Sequence, residues 1–277
     1  SVIESCVNNG EISSERNVGG IAGYMANLAT ARNCVNNGKI SSAYSTAYVG
    51  GIGGRVEGGT VESSYNTGAI HSSYNAGGIA GTAVAVKKTN ASNPGQWPAT
   101  IQNCYNTGSV YSQSIGKYTN GVGGIAGSTS GATSKKIYSC VKNCYNTGSV
   151  SFDPNGSGVA NAAAGSITGK SSYLKGINCY FLEGTAEKAV GNGTLRVTLT
   201  SVEAKSAADL KALALTLGAS FKADTAKINN GYPVLTWQPG EVCLHTETEV
   251  KNAQAATCTA DGYTGDTYCK LCGAKIS

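Results

Sequence analysis

The feature that most constrains this chain is a phrase it uses twice. Asn-Cys-Tyr-Asn-Thr-Gly-Ser-Val occupies residues 103–110 and recurs unchanged at 143–150. Weaker copies surround it. With the Cys as position zero, that column reads Cys6, Cys34, Ser64, Cys104 and Cys144, and Cys179 is a degenerate last copy. Two places on stand Asn8, Asn36, Asn66, Asn106 and Asn146; four on, Gly10, Gly38, Gly68, Gly108 and Gly148. Six on come Ile12, Ile40, Ile70, Val110 and Val150, and three before zero come Ile3, Ala31, Val61, Ile101 and Val141. Copies are separated by 28, 30, 40, 40 and 35 residues.

A second phrase lies between the copies. It reads Gly-Gly-Ile-Ala-Gly at 19–23, 77–81 and 123–127, Gly-Gly-Ile-Gly-Gly at 50–54, and in worn form Gly-Ser-Ile-Thr-Gly at 165–169. Positions zero, +2 and +6 share a parity, so along a strand they face the same way. That face carries a thiol, an amide and a β-branched aliphatic. The Gly at +4 permits a sharp bend or a positive φ between short strands. Neither phrase buries an apolar face alone, but equal phrases stacked at about 4.8 Å per layer do. Every layer then fills the same interior slot, with Asn amides hydrogen-bonding along the stack. Helical repeats fit poorly, because Gly and Asn are frequent and β-branched residues dominate the columns. The variable stretches 82–100 and 128–140 read as loops on the outside. Composition agrees: 38 Gly, 3 Phe, 1 Met and 13% charged residues do not describe an ordinary compact enzyme.

The Gly-Gly-Ile-Ala-Gly phrases resemble the GLUG motif of bacterial surface proteins, also found beside the protease region of some immunoglobulin A peptidases. The Asn-Cys-Tyr-Asn-Thr-Gly phrase is similar to its usual companion. The resemblance covers about residues 1–180. It implies a right-handed parallel β-helix, a solenoid, on a secreted or cell wall-associated protein, often of Gram-positive bacteria.

After Cys179 the texture changes. Leu210, Leu213, Ala214 and Leu217 fall at helical spacing, with Ser206 as N-cap and Gly218 as stop, which predicts a helix over about 206–217. Residues 232–237, Tyr-Pro-Val-Leu-Thr-Trp, predict a strand. Residues 181–240 therefore read as a small α+β cap for the exposed last layer. The stretch Asn229-Asn230-Gly231-Tyr232-Pro233 is similar to the segment closing many GLUG-type solenoids. Residues 241–277 form a separate Cys-rich module. Cys243 and His245, facing Cys269 and Cys272, have the ligand types and spacing of a tetrahedral structural zinc site, with Cys258 as an alternative ligand. Disulfides and idle thiols are the other readings. The module resembles short cysteine-containing units that recur in Gram-positive surface proteins.

Ser1 follows no signal peptide and the end at Ser277 looks cut, so a mature or excised segment is expected. No apolar run approaches the roughly 18–20 residues that cross a bilayer. The net charge of +5 is spread thinly, which argues against nucleic acid. Polysaccharide-cleaving β-helices need clustered acids, yet no repeat column is acidic, and Glu4, Glu11, Glu15, Glu57 and Glu62 sit at unlike positions. His71, at +7, reads as a surface substitution. The expected protein is thus not an enzyme. It is a rigid display or adhesion scaffold for an extracellular ligand, a glycan or a host protein such as mucin or immunoglobulin. Tyr65, Tyr105 and Tyr145, at +1, would form an outward aromatic stripe for that ligand, unless flanking loops cover them. A polysaccharide-degrading β-helix and a passive spacer beside a surface peptidase are the alternatives.

Overall fold

The computed structural model describes residues 1–88, 95–113, 121–132, 137–157, 162–240, 245–270, 273 and 275–277. The chain divides into two compact units, Ser1–Lys205 and Ser206–Ser277.

The first unit is all-β and β-helix-like: short strands stack in parallel into long ladders, one rung per repeat. Five ladders recur in each full layer. Ladder one holds Val2–Glu4, Thr30–Arg32, Thr60–Glu62 and Thr100–Gln102; ladder two begins with Val7–Asn8, Val35–Asn36, Tyr65–Asn66 and Tyr105–Asn106. Ser139–Asn146, Leu174–Leu182 and Val197–Lys205 each run through both. Ladder three contains Ile40–Ser42 and Ile70–Ser72, ladder four Tyr48–Gly50 and Asn75–Gly77, ladder five Gly53–Glu57 and Ala80–Val84. The registers align the repeat columns. Asn8 pairs with Asn36, Asn36 with Asn66, Asn66 with Asn106, and Asn106 with Asn146. Ile12, Ile40, Ile70, Val110 and Val150 do the same.

The corner between ladders one and two lies at position −1. There Ser5, Asn33, Ser63, Asn103, Asn143, Asn178 and Ser201 take φ between 46° and 56°. Short polar side chains tolerate this left-handed region better than most. The Gly at +4 does not supply a positive φ. It is required by crowding: a Cβ on Gly68 would lie 2.0 Å from the Gly38 carbonyl oxygen one layer away.

The two phrases meet inside. Each Asn Nδ2 donates to the next layer's Asn Oδ1, at 2.7, 2.6, 2.7 and 2.8 Å from Asn8 to Asn146. Each also donates to the carbonyl of the Gly two residues on, at 2.8 Å. The second glycine of the other phrase packs on this file. A Cβ on Gly78 would lie 2.3 Å from Asn106 Cγ and 2.1 Å from the Gly124 oxygen. The Asn–Gly contact splits the interior. Ile40, Val49, Ile70, Val110 and Val122 form one apolar cluster, from ladders three and four. Ile52, Val61, Ile79, Ile101, Ile125 and the column thiols form the other, from ladders five, one and two. A fully buried Ile contributes about 1.5–3 kcal/mol, and Ile52, Ile79 and Ile125 are fully buried.

The ladders outlast the motif. Cys179 pairs with Val202, and Asn146 with Phe181, which pairs with Ala204. The compact unit therefore ends at Lys205, beyond the expected boundary at 180, and residues 181–205 belong to the ladders rather than to a cap.

In the second unit the predicted helix is broken. Ala207–Lys211 and Ala214–Leu217 are helical, and the chain between them sits near ψ 0° at Ala212 and Leu213. Ser206 is the N-cap, accepting from the Asp209 amide at 3.2 Å, and Leu210, Ala214 and Leu217 are buried. The predicted strand 232–237 shortens to Val234–Leu235, paired antiparallel with Phe221–Lys222. Buried Asp224 shapes the loop between, accepting from the amides of Ile228, Asn229 and Gly231 at 2.7–2.9 Å. Downstream, Thr248–Lys251 pairs antiparallel with Asp266–Cys269. Lys275, Tyr263 and Asn252 bond Asp266 and hold its carboxyl down at about 2.

Candidate functional site

The tyrosine stripe is not an open surface. Tyr65, Tyr105 and Tyr145 stack ring on ring, with centroids 4.8 and 5.1 Å apart and planes within 6° of parallel. Side chains repeating at the layer spacing cover each other's faces. Tyr105 and Tyr145 are 1% and 0% exposed and Tyr65 is half-buried, so the first two offer no face to a ligand.

The column thiols are internal except in the first layer, where Cys6 is exposed. Cys34, Cys104, Cys144 and Cys179 are buried, and each Sγ donates to the carbonyl two residues earlier at 3.1–3.3 Å. Burial pushes the Cys144 and Cys179 thiols well above their usual range, which makes them unreactive. Ser64 fills its slot by bonding the Glu62 carbonyl at 2.7 Å. Of the expected zinc set, Cys243 and Cys272 lie outside the described residues. Cys269 is buried and the alternative ligand Cys258 is exposed. No group of three or more metal-ligating side chains occurs among the described residues. His71 is exposed on ladder three, 5.1 Å from the Tyr111 ring.

A site does emerge on the outer faces of ladders four and five, where the Gly-Gly-Ile phrase turns the chain. Two adjoining cavities, about 390 and 340 Å³, share Tyr48 and Arg55. The residue directly after each phrase's closing Gly points outward on ladder five. Register aligns these as Tyr24, Arg55, Thr82, Ser128 and Lys170. Arg55 stands 6.0 Å from the Tyr24 ring centroid and 5.7 Å from that of Tyr48. Tyr74 meets Tyr48 edge-on at 6.0 Å. The floor is fixed by hydrogen bonds. Asn75 Nδ2 donates to Ser128 Oγ at 3.3 Å, Ser128 donates to Thr82 Oγ1 at 2.8 Å, and Asn75 Oδ1 accepts from the Gly121 amide at 2.6 Å. Beneath it, Thr129 Oγ1 is buried with no hydrogen bond among the described residues.

Glu57 anchors one end. Its Oε2 accepts from Arg55 Nη2 at 2.8 Å and Nε at 3.2 Å, and Lys88 stands 3.5 Å from Oε1. Burial pushes the carboxyl up, but bonds from Arg55 and Tyr24 and the charges of Arg55 and Lys88 outweigh it, and it stays below the usual range. Glu57 is therefore held as an anion. Burial and the same carboxylate push the Tyr24 hydroxyl up. The groove offers aromatic faces, a rigid row of hydroxyls and an amide, and fixed charges. Such a surface can grip a ring-bearing polar ligand.

These residues differ from layer to layer, so they form no fixed column in the sequence. The legible signal was the contrast itself: one variable position at a constant offset from an invariant phrase.

No protein-family model and no curated protein matches the chain. Among solved structures, a candidate immunoglobulin A1 protease from Bacteroides ovatus is similar at 22% identity and a TM-score of 0.50. The match covers 86% of this chain and 76% of that one. At such identity the likeness shows the fold alone: all-β, built of long parallel sheets, β-helix-like.

Proposed function

We propose that the first unit is a non-catalytic recognition scaffold of an extracellular protein, a right-handed GLUG-type solenoid whose groove on ladders four and five binds a glycan. The groove carries this reading: tyrosine faces beside a hydrogen-bonded row of Asn75, Ser128 and Thr82. Sugars present apolar C–H faces and hydroxyl edges, and this surface supplies a partner for each. The registered Asn columns support the stacked-repeat part of this reading. The state of Glu57 supports a binding role, since a glycosidic acid needs its pKa raised and a second carboxylate some 5–9.5 Å away. A structural zinc in the second unit remains part of the proposal, to be read as about one zinc per chain by metal analysis.

A glycan array probed with the whole chain and with Tyr48→Ala tests the reading. Binding that drops about tenfold or more in the variant, with an unchanged melting temperature, is the expected result. A blank array, or equal binding by both proteins, overturns it. A second reading, an accessory domain beside a surface peptidase, is favoured by the Bacteroides ovatus structure, whose name is that of a protease. It and glycan binding are compatible.

A further inference from the structure

We infer that the groove selects acidic glycans, carrying carboxylate groups on two separated sugars. The inference rests on the glycan reading above and deepens it. Among the described residues, the charged side chains lining the two cavities are Arg16, Arg55, Glu57 and Lys170. Three cations thus face one carboxylate, and that carboxylate is already engaged. Arg55 commits Nε and Nη2 to Glu57 and lies between the Tyr24 and Tyr48 rings. Lys88, the other partner of Glu57, also lies against the Trp97 ring at 6.0 Å.

The cations stand at two poles. Arg16 and Arg55 lie at the end formed by the first two layers. Lys170 lies three rungs further along ladder five, beyond Thr82 and Ser128. At about 4.8 Å per rung, Arg55 and Lys170 are ~14 Å apart along the stack. Among the described residues, the lining between them is uncharged: Asn75, Thr82, Ser128 and Ser130 supply donors and acceptors, with Val84, Tyr48 and Tyr74 beside them. A ligand of alternating character fits this pattern: an acid, a neutral sugar or two, then a second acid. A strand-like peptide fits less well. The groove runs across the strands, so backbone pairing to a ladder edge is not offered there.

The test uses the whole chain and oligosaccharides of three or four sugars in matched pairs, one with uronic-type carboxylates and one with those carboxylates reduced to alcohols. Binding is measured by calorimetry at low and at physiological salt. The acid form is expected to bind roughly tenfold tighter at low salt, with the margin shrinking as salt rises. Lys170→Gln and Arg16→Gln are each expected to cost the acid form severalfold and to leave the reduced form unchanged. Both residues sit outside the core, and melting curves verify that the variants fold. Equal affinity for the two forms, or charge variants that weaken both alike, overturns acid selection and leaves the glycan reading standing. No binding of either form removes both.

Discussion

The inside and the outside of the first unit follow opposite rules. The interior Asn file is the same residue in five successive layers, and the first four copies each make the same two donated bonds, one to the next Asn and one to the Gly two residues on. The outward file on ladder five is Tyr24, Arg55, Thr82, Ser128, Lys170, a different chemistry on each rung. Both ride on the same parallel hydrogen bonding. Where a slot must interlock with its copies above and below, one residue wins everywhere. Where a rung faces outward, backbone pairing is indifferent to the side chain, and the position is free to be used for recognition.

The contrast can be broken most sharply at Gly78. Gly78→Ala puts a methyl group into Asn106 and the Gly124 carbonyl, and it should cost more than ~3 kcal/mol or abolish folding. Denaturant melts read it. Asn106→Ala is next. It removes bonds to Asn66, Asn146 and Gly108 and leaves buried amide groups unpaired, so a loss of about 3 kcal/mol is expected by the same melts. Changes on the outer file should be far milder. Because the folded pKa of Glu57 lies below its unfolded value, its contribution is complete above about 4.5 and fades as pH falls through the folded value. Wild type should therefore lose more stability than Glu57→Gln between pH 5 and 3, by less than about 1 kcal/mol. Smallest of all, Thr129→Val replaces an unpaired buried hydroxyl with a methyl and should leave stability unchanged or raise it slightly. A large loss there would mean that the hydroxyl has a partner, and the account of the groove floor would change.

The interior was legible because identical slots force identical letters. The repeat alone aligns Val61, Ile101 and Val141, and they pair in that register. The end of the unit was not legible. Val202 occupies the thiol slot, and Phe181 and Ala204 the amide slot, because a layer that passes no amide onward has no need of one. The left-handed corner at Asn33 and its equivalents carries Asn or Ser rather than glycine, so it leaves a weaker turn signal than the glycine at +4. The tyrosine stripe misled for a related reason. Parity gave its direction correctly relative to the thiols, but parity says nothing of what lies beyond it, and Tyr105 and Tyr145 are enclosed. The apolar spacing, cap and stop that predict a single helix over 206–217 are equally satisfied by two short segments on either side of Ala212 and Leu213.

The amide file has one more property: all its members point the same way. From Asn8 to Asn106 every Nδ2 donates to the Asn of the next layer toward the carboxy terminus. The side-chain dipoles add, and the column carries a polarity much as a helix does. A column of this kind is indifferent to its own length. Asn36 and Asn66 donate to their successors in the same geometry, so excising the forty residues from one Asn to the next, 67–106, would let Asn66 meet Asn146 head to tail. Genetic gain or loss of whole rungs thus lengthens or shortens the outer groove by about 4.8 Å a step. The size of ligand such a protein can span becomes a matter of counting.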